Sequence, residues 1–205
     1  MNYDLIFLLE EPSIENVLSN VIPKIMPNTV NYKCISHQGK QDLAKSIPIK
    51  ARAFKKFSPD TQFIIIHDQD SHDCRKLKAE LLRICQTAGD NNAIIRIICH
   101  ELESWFLGDL VAIEKAYNLK TNSLQKHQSK NKYRNPDQLN SAKEELKSLL
   151  RKYSVEYYAG THSKKIAPYL SLTKNTSHSF QVFIKTMKIF LAYTLHKQED
   201  KGDES

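Results

Sequence analysis

Gln62-Phe63-Ile64-Ile65-Ile66-His67-Asp68-Gln69-Asp70 is the stretch on which the fold turns. Its apolar run is continuous rather than alternating. That marks a strand buried on both faces, as in a parallel sheet covered by helices. It ends in two acids. Two other runs end the same way. Tyr3–Leu9 leads into Glu10-Glu11, and Ala93–His100 leads into Glu101-Leu102-Glu103. In a parallel α/β sheet the carboxyl ends of the strands share one edge, and ligand crevices form there. Six carboxylates from three segments would then meet at one crevice. Such a cluster repels itself unless cations neutralise it. The expectation is a site for a hard divalent ion, Mg²⁺ or Mn²⁺.

The segments between these runs have helical periodicity. Ser13 reads as an N-cap for a helix with Val17, Leu18, Val21 and Ile22 on one stripe. Thr29–Ile35 reads as a strand, and His37-Gln38-Gly39-Lys40 as a turn. Gln41–Phe57 reads as a helix interrupted near Pro48. Asp73–Thr87 reads as a helix capped by Asp73, with Leu77, Leu81, Leu82 and Ile84 toward the sheet. The resulting βαβαβαβ order predicts a doubly wound α/β sheet of about four parallel strands. Glu103–Tyr117 then reads as one or two short helices, and Asn118–Pro136 as a polar, partly mobile loop. Leu139–Tyr153, Lys164–Leu170 and His178–His196 read as helices. The division expected is an acidic α/β core over 1–117, a basic and mainly helical extension over 118–197, and a disordered acidic tail over 198–205.

The net charge of +7 is unevenly spread over the 205 residues. Residues 1–114 carry 13 Lys and Arg against 15 Asp and Glu, whereas residues 115–197 carry 16 against 4. That asymmetry suits a polyanionic partner, though solvated helix surfaces would also produce it. No apolar run approaches the roughly 18 residues of a membrane span. The first residues lack a basic, apolar leader, so a cytoplasmic location is expected. Cys34, Cys74, Cys85 and Cys99 have no disulfide-framework spacing. The neighbouring pairs Cys34/His37, His72/Cys74 and Cys99/His100 raise zinc, but no C-x-x-C is present, and thiols near the sheet are the simpler reading. With five glycines, the chain has neither a phosphate-binding P-loop nor a dinucleotide fingerprint, and no serine nucleophile elbow.

Asp68-Gln69-Asp70 can place two carboxylates on one side of an extended turn, to hold one metal or bridge two. A polar turn would use the same residues. Glu10 and Glu11, and Glu101 and Glu103, carry a similar double reading, as ligands or as helix-start acids. His37 and Lys40 flank a glycine turn where phosphate could meet a helix start. Arg134, Lys164, Lys165 and His178 could track a nucleic-acid backbone, with Tyr133, Tyr157, Tyr158 and Phe180 for stacking. The only tryptophan, Trp105, is expected against the sheet.

A strand ending in Glu and a later strand ending in Asp-x-Asp resemble the Toprim fold of topoisomerases, primases and overcoming-lysogenization-defect (OLD) nucleases. More specifically, the chain resembles a bacterial Toprim-like family of uncharacterised proteins. The likeness rests on Glu10-Glu11-Pro12-Ser13, His37 to Leu43, Asp68 to Ser71 with Asp73-Cys74, Glu101 to Trp105 with Leu107 to Leu110, Lys132 to Asp137 and Ser177 to Phe180. It implies a Toprim-like (Rossmannoid) fold, with Glu10 as catalytic or metal-binding glutamate and Asp68 and Asp70 on Mg²⁺. By analogy with OLD-type nucleases, Glu101 and Glu103 complete a second metal position. Toprim chains usually carry Gly where this one has Glu11, and an acid where it has Ile14. Counting from Glu11 restores that acid as Glu15, so Glu10 and Glu11 both stay in play.

The function expected is metal-dependent hydrolysis of DNA or RNA, in anti-phage defence with an ABC- or AAA-type ATPase partner. A non-enzymatic subunit docking on such an ATPase is the alternative. A phosphotransfer enzyme with a deep pocket near Lys40 is a third, and a homodimer stays open.

Overall fold

The computed structural model describes the backbone of residues 3–202 and the side chains of residues 3–195. The disorder expected of 198–205 therefore falls on residues whose side chains, and for 203–205 whose backbone, lie outside that range. Four strands, β1 (Leu5–Leu9), β2 (Tyr32–Ser36), β3 (Gln62–Asp68) and β4 (Ile94–Ile98), form a sheet of order β2-β1-β3-β4. Every pairing is parallel, as continuous apolar strands predict. Leu9 is level with both Ser36 and Ile66, and Asp68 is level with Ile98. All four strands therefore finish at one edge. The order reverses between β1 and β3, so the crevice of an open α/β sheet lies beyond Leu9 and Asp68.

The helices are α1 (Pro12–Val21), α2 (Lys40–Phe57), α3 (Cys74–Thr87), α4 (Glu103–Leu107), α5 (Leu110–Ala116), α6 (Asn131–Arg134), α7 (Ala142–Arg151), α8 (Ala159–Ile166) and α9 (His178–Gly202). Alternate strand residues serve opposite cores. Ile6, Leu8, Phe63 and Ile65 pack with Leu43 and Ile47 of α2 and Leu77 and Leu81 of α3. Leu5, Phe7, Leu9, Ile64 and Ile66 share a larger core with α1 and with buried residues of α4 to α9. Trp105 sits in that larger core, stacked on Phe183 at 5.5 Å and edge-on to Phe180 at 5.1 Å. Among the described residues no helix is long and apolar enough to cross a membrane.

Three local expectations change. The N-cap of α1 is Glu11, not Ser13, because Pro12 takes the first helical position, where its missing N–H costs nothing. Ser13 is buried and donates its hydroxyl to the Glu11 carboxylate. α2 runs unbroken through Pro48. Leu43, Ile47 and Ala51 bury one face of it, at about 1.5–3 kcal/mol for each large side chain. That offsets a helix-interior proline costing about 3 kcal/mol.

The 118–136 segment is ordered by buried partners rather than loose. Glu114 accepts from the N–H of Gln125 at 2.8 Å, and Gln128 accepts from that of Leu110 at 2.8 Å while donating to the Tyr133 carbonyl at 2.7 Å.

Candidate metal and phosphoryl-transfer centre

Glu10 follows the last residue of β1, and its N–H reaches back to the Ile66 carbonyl of β3 at 3.2 Å. Its carboxylate Oε2 accepts from the N–H of Asp68 at 2.9 Å and lies 2.9 Å from His67 Nδ1. Burial alone would raise the Glu10 carboxyl, but the hydrogen bond and charge of His67, the Asp68 N–H and the charge of Lys40 hold it below its usual value. His67 shows the converse. Burial would lower it, yet Glu10, the Asp68 carbonyl and the charge of Asp70 raise it. Glu10 and His67 thus each favour the other's charged form at the strand ends, with Lys40 opening α2 beside them.

Asp68 is different. Its Oδ2 accepts from the N–H of Leu102 at 3.3 Å, while Oδ1 is buried with no hydrogen-bond partner. Burial first, then the charges of Glu11, Glu10 and Glu103, push its carboxyl well above the usual carboxylate range. A buried carboxylate in that position must keep a proton or gain a counter-charge.

Glu103 opens α4 and is buried; Tyr157 donates its phenolic hydrogen to Oε1 at 2.9 Å. Burial raises Glu103 too, against the pull of its own N–H, Tyr157 and Lys143. Glu101 is half-buried and accepts from the N–H of Lys143 at 2.8 Å, which ties the end of β4 to the start of α7.

The strand ends therefore bring Glu10, Glu11, Asp68 and Glu103 into one electrostatic cluster, with Glu101 at its margin. Asp70 stands apart from the side-by-side arrangement expected of Asp-x-Asp. The chain turns at Asp70 with φ of +50°, its backbone bonds to His100, and its side chain is exposed. What reaches the cluster from it is the charge felt by His67.

Among the described residues no three His, Cys, Asp or Glu side chains are grouped to hold an ion outright. What the chain presents is one buried carboxylate oxygen that lacks a partner and feels three glutamate charges, and carboxylate oxygens are the ligands a hard divalent cation takes.

His37 lies at the same edge but is buried, with Nδ1 2.8 Å from the Leu9 carbonyl and Nε2 unpartnered. Gly39, at φ of +96°, donates its N–H to the Glu10 carbonyl at 2.9 Å and so seats the turn on the site.

Lys164 and Lys165 are exposed on α8 and line a groove against Pro12, the residue after Glu11. Arg134 is exposed on α6, bonded to Asn131. His178 is exposed at the start of α9, but its neighbours are structural. Asp137 accepts from the Ser177 hydroxyl and the Ser179 N–H, both at 2.6 Å, and Ser179 accepts from Trp105 Nε1 at 2.9 Å.

Of the four aromatics expected to stack on bases, Tyr133, Tyr157 and Phe180 are buried; Tyr158 is 59% exposed. Phe180 is spent on Trp105, Tyr157 on Glu103, and Tyr133 on Glu145 at 2.6 Å. All four cysteines are free thiols.

Sequence reasoning gave His67 no part in the site and expected Tyr157 to stack on a base rather than to hold Glu103. A histidine closing an otherwise apolar strand, directly before the Asp pair, was the available signal for His67. Nothing local flags Tyr157, which comes to Glu103 from 54 positions away.

The family model described as Domain of unknown function (DUF4276) matches residues 9–188. No curated protein matches the chain. Among solved structures, the C-terminal region of the Xanthomonas campestris pv. campestris OLD protein is similar at 13% identity and a TM-score of 0.49, over 95% of this chain and 98% of that one. A likeness that slight assigns no activity.

Proposed function

The chain belongs to the family described as Domain of unknown function (DUF4276), and for this member we propose a divalent-metal-dependent phosphodiester hydrolase of Toprim-like type, acting on DNA or RNA. The observation that carries it is the buried Asp68 Oδ1, unpartnered at the carboxyl ends of the central strands while three glutamate charges press on the same group. Asp68, with Glu10, Glu11 and Glu103, would hold Mg²⁺ or Mn²⁺. Asp70 and Glu101, at the margin, are the candidates for a second position. The chemistry such an ion supplies when bound is polarisation of a phosphoryl oxygen and activation of water.

The protein's own groups do the rest. His67 fixes the orientation of Glu10 and keeps it ionised. The Asp68 N–H locks Glu10 to β3, so the two central strands present their carboxylates at a set spacing. Tyr157 restrains Glu103 from the opposite wall. Lys40 adds positive charge beside Glu10, where a phosphate would approach. Hydrolysis by this centre inserts water at phosphorus, breaks one P–O ester bond and returns the proton to the leaving oxygen.

A panel of supercoiled, linear and single-stranded DNA, tRNA and long RNA, each with Mn²⁺ or Mg²⁺, tests the reading against an Asp68→Ala/Asp70→Ala variant. Cleavage by the wild-type chain alone supports it and identifies the substrate class. Silence from both favours the second reading, a non-enzymatic subunit docking on an ATPase. Exposed Ile189 and Leu195 on α9 are the observation that keeps that reading.

A further inference from the structure

Two grooves meet beside α8, and their junction is an exposed aromatic ring. The first, about 700 Å³, runs between α1 and α8 and is lined by Pro12, Asn16, Tyr158, Thr161, Lys164 and Lys165. The second, about 360 Å³, runs along α7 and is lined by Lys143, Lys147, Arg151, Glu156, Tyr157 and Tyr158. Tyr158 belongs to both.

Residues of each groove are linked to the acidic centre by a different route. Pro12 follows Glu11 directly in the chain. Lys143 gives its N–H to Glu101, and Tyr157 gives its hydroxyl to Glu103. The residues that bond or adjoin Glu11, Glu101 and Glu103 thus flank both grooves, with Tyr158 between them.

The ring at the junction is held. Tyr158 meets His162 edge-on at 6.2 Å, and His162 is in turn 2.5 Å from the Tyr117 hydroxyl. Lys165, which lines the first groove, lies over the Tyr117 ring at 4.5 Å. In the second groove Lys147 is paired with Glu144 and the Glu156 carboxylate takes the Tyr158 hydroxyl, so Arg151 and Lys143 are the basic groups left to face a polyanion.

We propose that these grooves form one track for a single nucleic-acid strand, with a base stacked on Tyr158 and the backbone held by Lys164 and Lys165 on one side and Lys143 and Arg151 on the other. An exposed ring between basic walls suits a strand whose bases are unpaired, because every base has a face to stack, whereas a duplex hides those faces. The inference rests on the hydrolase reading for its purpose and on the grooves for its geometry.

Fluorescence anisotropy of the full chain in EDTA, with a labelled 16-nucleotide DNA, the matching RNA and the DNA duplex, tests the track. The single strands should bind at least tenfold tighter than the duplex. Tyr158→Ala should weaken them about tenfold, and Tyr158→Phe should restore most of that loss, since the ring rather than the hydroxyl stacks. Lys164→Ala/Lys165→Ala should flatten the salt dependence by roughly 1.4 units of slope. Arg75→Ala/Lys78→Ala, on α3 across the sheet, should do neither.

Equal affinity for duplex, equal loss with the α3 pair, or Tyr158→Phe as weak as Tyr158→Ala would each overturn the track. Cleavage is read separately with Mn²⁺ on the same oligonucleotides. Strand binding without cleavage keeps the track and overturns the hydrolase reading. Cleavage without dependence on Tyr158 does the reverse.

Discussion

The N–H of Asp68 donates to the Glu10 carboxylate at 2.9 Å, so the ends of the two central strands are tied by the side chain of one and the backbone of the other. That bond leaves Glu10 charged and Asp68 without compensation, and the two acids should answer to pH in opposite senses.

Glu10→Gln removes the partner of His67. The Glu10 carboxyl is depressed, so its contribution to stability is present above its unfolded value of about 4.3 and fades as pH falls through the folded value. His67 is raised, so its contribution is complete below about 6.5 and fades as pH rises through the folded value. The stability gap between wild type and Glu10→Gln should therefore peak near pH 5–6 and narrow on both sides. Thermal melts in EDTA from pH 3 to 9 measure it, and a gap independent of pH would contradict the ion pair.

Asp68→Asn should stabilise the metal-free protein at pH 7. The Asp68 carboxyl is raised in the fold, so ionising it costs stability above its unfolded value of about 3.9, and the cost vanishes as pH falls below that. Each ~1 kcal/mol of cost removed lifts Tm by about 2–4 °C in a chain of this size, so Asp68→Asn should melt measurably higher than wild type. Mn²⁺ should raise the Tm of wild type and leave that of Asp68→Asn almost unmoved. A destabilised Asp68→Asn in EDTA would mean that Asp68 is already compensated.

Thiol labelling should be selective. Burial, with help from Glu15, Asp90 and Asp137 respectively, pushes Cys34, Cys85 and Cys99 up to about 12. At pH 8 such thiols react roughly a thousandfold more slowly than an ordinary one near 8.5. Iodoacetamide on the native chain should mark Cys74, half-exposed in the first turn of α3, long before the others, as peptide mass mapping would reveal.

Ser179→Ala should cost about 1–3 kcal/mol in urea denaturation, because it leaves the buried Trp105 N–H without an acceptor. Gly108→Ala should be comparably harmful. An added Cβ would sit 2.2 Å from Asn175 Oδ1 and 2.8 Å from the Ser177 backbone nitrogen. Neither change should alter the salt dependence of nucleic-acid binding, since both residues brace the core rather than the grooves.

The strands were legible because parallel, doubly covered strands write themselves as unbroken apolar runs, and Ile64 to Ile66 could hardly be anything else. The convergence of Glu10, Asp68 and Glu103 followed from that topology alone. The turn at Asp70 did not, because a left-handed residue after a strand has no fixed signature when it is not glycine or asparagine. Tyr157 and Tyr158 are adjacent and chemically identical, yet one is inside holding Glu103 and the other outside. Only the angle at which the chain enters α8 separates them. The Ser177-His178-Ser179 stretch carried the look of a binding loop because hydroxyls that lock a core and hydroxyls that hold a phosphate are the same residue type.

The larger core joins Leu5, Phe7 and Leu9 of the first strand to Phe183 and Met187 of the last helix. During synthesis the sheet can pair early and α1 can cover part of that face, but the part on β4 stays bare until α9 has emerged. Truncation within α9 would therefore uncover Trp105 and the larger-core face of β4. Premature termination there should yield aggregates rather than a shorter working protein.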